Sequence, residues 1–339
     1  MSGSIEQQGA DHRVPAARPG LGRRILRVPE LMVLVALVIV IIGFVIAAPA
    51  TFLSARNVGA VLTAAAQLGV VAVGCAILII SGEFDISVGS NYAFTGIVIG
   101  LLSTSGGLPT WCAVLIGLLI STSIGLSNGL ITMAAKIPSF ITTLGTWLVW
   151  FGLTLAVSKG FFVSAKPHDR LIEVFGGLLG YQFYSSIFWW LGIGLAAIVL
   201  LGWTPLGNWI FAVGGNTEAA RAVGVPAGRV KLFAFGLIGF LAGVSAVFTL
   251  GQQGSMAPLY GQNLALQAIA ASVIGGCSLS GGAGSVIGAM LGAILMSMIN
   301  GGLILAGAPT FWYQTFVGAI VLIAVVINTS ISRRVAQMK

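Results

Sequence analysis

Between Lys231 and Arg333 the chain carries no Asp, Glu, Lys, Arg or His, and between Arg56 and Lys136 it carries only Glu83 and Asp85. A water-soluble domain has about a quarter of its residues charged, so stretches this long without charge fold only in apolar surroundings. The whole chain of 339 residues is 57% hydrophobic and 7% charged, with a mean hydropathy of +1.04. It reads as an integral membrane protein. The fold class is all-α, a polytopic membrane helix bundle, because helices satisfy their own backbone N–H and C=O groups where water is absent.

A bilayer crossing takes roughly 20 apolar residues, and about ten runs qualify: Leu31–Ala48, Val58–Ile80, Ile86–Leu102, Trp111–Ala135, Phe140–Val157, Phe183–Trp203, Leu232–Leu250, Leu264–Cys277, Val286–Ala306 and Phe311–Val326. The eighth is short and flanked by Gly-rich chain, which suits a tilted or broken span shielded by its neighbours. Basic residues near span ends stay on the cytoplasmic side. With both termini cytoplasmic, twelve of the sixteen Lys and Arg fall inside, and Arg56, Lys159, Lys166 and Arg170 fall outside.

This division gives a cytoplasmic, disordered arm over 1–28, a single transmembrane domain over 29–332 and a short cytoplasmic tail over 333–339. The longest outer loop, 158–182, contains "DRLIEVF", with the apolar spacing of a short interfacial helix. The longest inner loop is 204–231. The net charge of +8 is mostly this topological bias; no basic, aromatic-interleaved patch points to nucleic acid. The arm lacks the charged, apolar and small-residue order of a cleaved signal peptide. Cys75, Cys112 and Cys277 sit in or beside apolar runs without CxxC spacing and read as small buried hydrophobes. Trp111, Trp189, Trp190, Trp203 and Trp312 lie at span ends, where indole rings anchor at the interface.

Within the inner loop, "GGNTEAARAVGVPAGRVK" has helix punctuation. Asn216 or Thr217 can cap, Glu218 suits the first turn, the alanines propagate, Gly224 stops the helix and Pro226 forbids its continuation. A short helix with a flat alanine face fits a groove on another protein. "ILIISGEFDISVGSNYAF" and "SVIGGCSLSGGAGSVIGA" echo one another loosely, each an apolar run, a Gly/Ser break and a new run. That pattern suggests a duplication of parallel sense.

"EAARAVG" has the Glu-Ala-Ala-x-x-x-Gly spacing of the coupling loop in permease subunits of ATP-binding cassette (ABC) importers. "GNWIFAVGGNTEAARAVGV", "GEFDISVGS" and "VIGGCSLSGGAGSVIGA" together resemble, in order and spacing, the permeases for ribose, xylose, arabinose and related monosaccharides. The resemblance covers roughly Leu31–Arg334. It departs at Glu83, where Gly-Ile is common, at Asn208, where Arg is common, and at Cys277, where Thr or Ala is usual. The resemblance implies a multi-pass subunit of the bacterial inner membrane with no catalytic residues and no cofactor of its own, since ATP-Mg would bind a partner. The implied partners are a cytoplasmic ABC ATPase, a periplasmic sugar-binding protein, a second permease copy and membrane lipid. The ATPase-coupling residues would be Gly215, Asn216, Glu218, Ala219, Ala220, Arg221 and Gly224.

Two carboxylates at a bilayer midplane would each cost roughly 2.5–3.5 kcal/mol. Gly82, Glu83, Asp85, Ser87 and Gly89 are therefore expected in a cytoplasmic or broken-helix turn, with Asp85 capping the third span and Glu83 a solvated or gating charge. A passage that must release its cargo binds it loosely, through scattered amides and hydroxyls. Candidates are Gln67, Asn91, Asn128, Gln267 and Asn300 in spans, with Gln252, Gln253, Tyr260 and Asn263 near the outer mouth. An ion-coupled secondary transporter would need intramembrane charge, which the second half lacks. An intramembrane enzyme would need a motif such as HExxH or GxSxG with partners, and His12 and His168 both fall outside the spans. There is no GxxxxGK[ST] phosphate loop. A permease for nucleosides or branched-chain amino acids is the nearest alternative.

Overall fold

The computed structural model describes residues 29–166 and 169–307, together with 309, 312, 314–316, 318, 319 and 322. The N-terminal arm, the C-terminal tail and most of the tenth span lie outside the described residues. In chain order the helices are α1 (Pro29–Ala47), α2 (Ala55–Ile80), α3 (Val88–Thr104), α4 (Thr110–Ala135), α5 (Ser139–Ser158), α6 (Arg170–Gly176), α7 (Ser186–Trp203), α8 (Pro205–Gly215), α9 (Thr217–Ala222), α10 (Ala227–Gln253), α11 (Leu264–Ile274) and α12 (Val286–Leu305). Two small antiparallel ladders join β1 (Val163–Ser164) to β4 (Ser255–Met256), and β2 (Leu178–Gly180) to β3 (Phe183–Tyr184).

Seven of these helices are long and apolar enough to cross a membrane. The 26 residues of α2 and 27 of α10 reach about 40 Å at 1.5 Å per residue, more than a hydrocarbon core of about 30 Å. Two further apolar helices are shorter: α3, with 17 residues, and α11, with 11. α3 starts level with the middle of its neighbours, and Gly261, just before α11, lies against Gly89 at that same start. Asn91 in the first turn of α3 donates to the Ser121 carbonyl midway along α4, and Ser121 donates to the Gly239 carbonyl midway along α10. The eighth apolar run is thus a half-span, as its length predicts.

Helix ends are fixed by side-chain caps. Ser54 accepts from Asn57 N–H before α2, Asp169 from Leu171 N–H before α6, Thr204 from Gly207 N–H before α8 and Ser285 from Gly288 N–H before α12. The helix expected in the outer loop is α6. Helix hydroxyls such as Thr143, Thr154, Ser158 and Thr249 donate to carbonyls four residues back, which lets them sit in apolar surroundings.

At the centre α2 is almost wholly buried, packed by α10, α12, α11 and α7, while α4 lies against α10 and α3. Small residues permit this closeness: a Cβ on Gly125 would strike the Phe235 carbonyl across the α4–α10 contact. Apolar side chains of α1, α4 and α5, including Ile39, Leu119 and Leu148, point outward, as lipid-facing residues do. Of the tryptophans expected at the interface, Trp111, Trp189, Trp203 and Trp312 are exposed. Trp190 is not: it is 2% exposed and packs on Gly69 of α2, because the missing glycine side chain leaves a slot for the ring. Cys75 and Cys277 are buried and Cys112 half-buried, none of the three in a disulfide.

The two echoing motifs lie side by side, with Gly281 against Gly82. Their order is mirrored rather than repeated, since the short helix follows the first turn and precedes the second.

Candidate translocation site

One end of the bundle carries α8 and α9. Asn216 separates them in extended conformation, and its side chain accepts from Ala219 N–H at 2.9 Å, the cap expected from the sequence. Ala220 is buried and pins α9 to the bundle. Gly215, Asn216, Glu218, Ala219, Arg221, Ala222, Val223 and Gly224 are exposed. This leaves a small-residue surface with one acid at its start and one base at its end.

Behind that surface the end of α8 meets the membrane turns main chain to main chain. A Cβ on Gly214 would overlap the Ile80 carbonyl oxygen at the end of α2 and lie 2.7 Å from Gly282 N. Gly282 N–H donates to that same Ile80 carbonyl at 2.9 Å. Gly82 and Gly281 take left-handed conformations beside them, with φ of +88° and +80°. Side chains at this junction would push the three segments apart.

From Gly82 the chain turns back into the bundle. Lys231, at the start of α10, donates to Glu83 at 2.6 Å, and both side chains are largely covered, 18% and 12% exposed. Phe84 N–H donates to Ser139 Oγ at the start of α5. Asp85 is buried. Its Oδ1 accepts from Ser87 N–H at 2.8 Å and from Ser87 Oγ at 2.6 Å, and its Oδ2 accepts from Asn128 Nδ2 at 3.1 Å. Asn128 also donates to Ser87 Oγ at 2.7 Å. The cap position of α3 is held by Ser87, so Asp85 acts from two residues before the N-cap, bracing the residue from which the helix starts. The positive end of the α3 dipole lies at this carboxylate. Glu83, expected to be solvated or gating, is ion-paired. Gly89, next along, has no room for a Cβ because the Gly261 carbonyl occupies that space.

A polar cavity of about 320 Å³ opens among α2, α3, α10, α11 and α12 and the segment before α11. Gln253, Leu259, Tyr260, Gln262 and Asn263 form its exposed mouth, and buried Tyr92, Ser245 and Ser297 its floor. Gln67, Gln267 and Asn300 lie between, half-buried. At the floor three helices converge on one hydroxyl. Thr249 accepts from Gln67 Nε2 at 2.8 Å, lies 2.6 Å from Tyr92 OH and donates to the Ser245 carbonyl, while Ser245 Oγ donates to the Gln67 carbonyl. No Asp, Glu, Lys, Arg or His is among the described residues lining the cavity.

Of the residues singled out as pathway candidates, the cavity gathers Gln67, Gln253, Tyr260, Asn263, Gln267 and Asn300. It does not include Asn91, Asn128 or Gln252. Asn91 bonds α3 to α4, Asn128 holds the Asp85 turn, and Gln252 donates to Ser186 at the start of α7. All three amides tie elements together. Tyr92, Thr249, Ser245 and Ser297 were missed. Each is a single hydroxyl in an apolar helix, and only the packing of α2, α3, α10 and α12 brings them to one place.

The chain matches, over residues 57–326, the family described as branched-chain amino acid transport system / permease component. It is similar to the xylose transport system permease protein of Escherichia coli (strain K12), 30% identical over 95% of this chain and 97% of that protein. It is also similar to the autoinducer 2 import system permease protein of Photorhabdus laumondii, 33% identical over 85% and 87%, and to the ribose import permease protein of Bacillus subtilis, 33% identical over 82% and 86%. The match covers the broken turns, α8–α9 and the cavity helices together, and the chain belongs to this family of membrane permease subunits of ABC importers.

Proposed function

We propose that this permease imports a neutral monosaccharide or related polyol, working as a pair of identical subunits. The observation that carries the reading is the cavity, whose polar lining consists of amides and hydroxyls from Gln67, Tyr92, Ser245, Gln253, Tyr260, Gln262, Asn263, Gln267, Ser297 and Asn300. A zwitterionic amino acid would leave its ammonium and carboxylate without charged partners there, at a desolvation cost that amides offset poorly. A polyol asks only for uncharged donors and acceptors, which amides and hydroxyls supply in both senses. About 320 Å³ admits one sugar ring. The names of the xylose and ribose permeases agree with this chemistry.

The exposed face of α9 is the seat for the ATPase, with Gly215, Asn216, Glu218, Ala219, Arg221 and Gly224 at its surface and Ala220 anchoring it. Residues 158–182 with β4 form the outer face for a sugar-loaded binding protein. Gly82, Glu83, Asp85, Ser87 and Gly89 form the inner gate turn. ATP and Mg belong to the partner, whose closure would move α9 and shift the bundle between two arrangements as packed bodies. The second copy would face the open side of the cavity, where Gln262 and Asn263 are exposed, so that two cavities flank one passage. Purification from native membranes, with mass spectrometry of the accompanying proteins, tests the reading. A cassette ATPase and a binding protein that retains a neutral sugar are expected; a binding protein specific for an amino acid would overturn it.

A further inference from the structure

We infer that the segment Ile80–Gly89 is a connecting rod between the α8–α9 loop and the cavity, and that Gly214 and Gly261 are the positioning residues at its two ends. The inference rests on the reading of α9 as the ATPase seat.

At the inner end, the Ile80 carbonyl is held by Gly282 N–H at 2.9 Å and sits where a Cβ of residue 214 would be. A Cβ on Gly281 would meet the Gly214 carbonyl at 2.7 Å and Gly82 Cα at 2.9 Å. Contact between main chains has no rotamers to absorb a displacement, so a push on α8 reaches Ile80–Gly82 undiminished. The Glu83–Lys231 pair holds the same turn to α10.

At the far end, Gly89 and Gly261 are in reciprocal contact: a Cβ on either would overlap the other's carbonyl oxygen. Gly261 lies inside the segment that supplies Leu259, Tyr260, Gln262 and Asn263 to the cavity mouth. Tyr92, on the floor, is the fifth residue of α3. A shift of the rod therefore moves one floor residue and four mouth residues together. The same segment continues into the β1–β4 ladder, where Ala165 N–H donates to the Gly254 carbonyl at 2.8 Å. That ladder ties it to the outer loop. Between the two glycine contacts Asp85, Ser87 and Asn128 brace the rod, which keeps it from bending under load.

The test uses the complete importer in proteoliposomes, with ATP hydrolysed per sugar moved as the readout. Gly214→Ala and Gly261→Ala complexes are expected to hydrolyse ATP within threefold of the unaltered rate, yet to move at least tenfold less sugar per ATP. Gly145→Ala, on the outward face of α5 with nothing within 4 Å of an added Cβ, serves as the control. A transport-to-hydrolysis ratio within twofold of the unaltered complex for both variants would overturn the inference. Because those variants can fail to assemble, spin labels on a chain that keeps both glycines, with Cys112→Ser to remove the half-buried thiol, give a second measurement. Asn208→Cys and Leu259→Cys, each exposed, are paired in turn with Leu148→Cys on the outward face of α5. Both distances are expected to change on ATP binding; a change at 208 with none at 259 would sink the rod. If ATP binding moves neither, or the unaltered complex does not hydrolyse ATP in response to binding protein, the failure belongs to the seat assignment as well.

Discussion

Lys231 and Glu83 are 2.6 Å apart, two opposite charges joining the start of α10 to the turn after α2. The turn therefore has a charged attachment as well as the glycine contacts. With both side chains mostly covered, loss of one partner strands the other in poorly solvated surroundings, a cost of about 1–3 kcal/mol. Glu83→Gln and Lys231→Met are each expected to lower the melting temperature of the solubilised protein. The exchange Glu83→Lys with Lys231→Glu is expected to recover at least half of the loss. Equal loss in the exchange would show that the pair does not act as a pair.

Asp85 makes a sharper case. An Asn at this position keeps an oxygen for Ser87 N–H and Ser87 Oγ, but sets two amide N–H groups against each other at residue 128. Asn128 Oδ1 has no partner in the described structure, so turning that amide over restores the bond to residue 85 while giving up the donation to Ser87 Oγ. Asp85→Asn is expected to fold with a loss of about 1 kcal/mol, and Asp85→Ala to lose about 3 kcal/mol or more, as several buried donors go unmet. Thermal unfolding of both variants checks this. A selective rise in the apparent KM for sugar with unchanged stability would instead place Asp85 at the substrate.

On the cavity floor, Tyr92→Phe removes the hydroxyl beside Thr249 and keeps the ring. Thr249 retains its bonds to Gln67 and Ser245, so stability is expected to change little. Transport at saturating binding protein is expected to fall about 2–10-fold, the size of one uncharged hydrogen bond. Thr249→Val strands both Gln67 and Tyr92 and is expected to cost stability as well.

For α9, Asn216→Ala removes a cap worth about 1 kcal/mol, and Glu218→Lys reverses the charge at the helix start. Both are expected to reduce recovery of the ATPase with the permease while leaving insertion in the membrane intact. Unchanged recovery and transport would remove this loop from the coupling path.

The order of elements was legible from charge and apolar length: the seven long helices, the shortened eighth span, the capped α9 and the helix at 170–176 follow from residues close together in sequence. The same holds for Gly82 and Asp85 as a turn. The cavity was legible only in part. An amide in an apolar helix signals that it has a partner, yet nothing local says whether that partner is another helix, as for Asn91, Asn128 and Gln252, or an open space, as for Gln67 and Asn300. Tyr92 and Thr249 gave no signal, since their proximity arises from the packing of α3 on α10. Trp190 was misplaced for a related reason: its slot is made by Gly69, more than a hundred residues away.

The most direct measurement is uptake into proteoliposomes containing the permease and its ATPase, with binding protein on the outer side and labelled solutes offered singly. A neutral pentose, hexose or related polyol is expected to accumulate only with ATP and only with binding protein, while leucine and isoleucine stay out. Accumulation of the amino acids, or of sugar without ATP, would contradict the account.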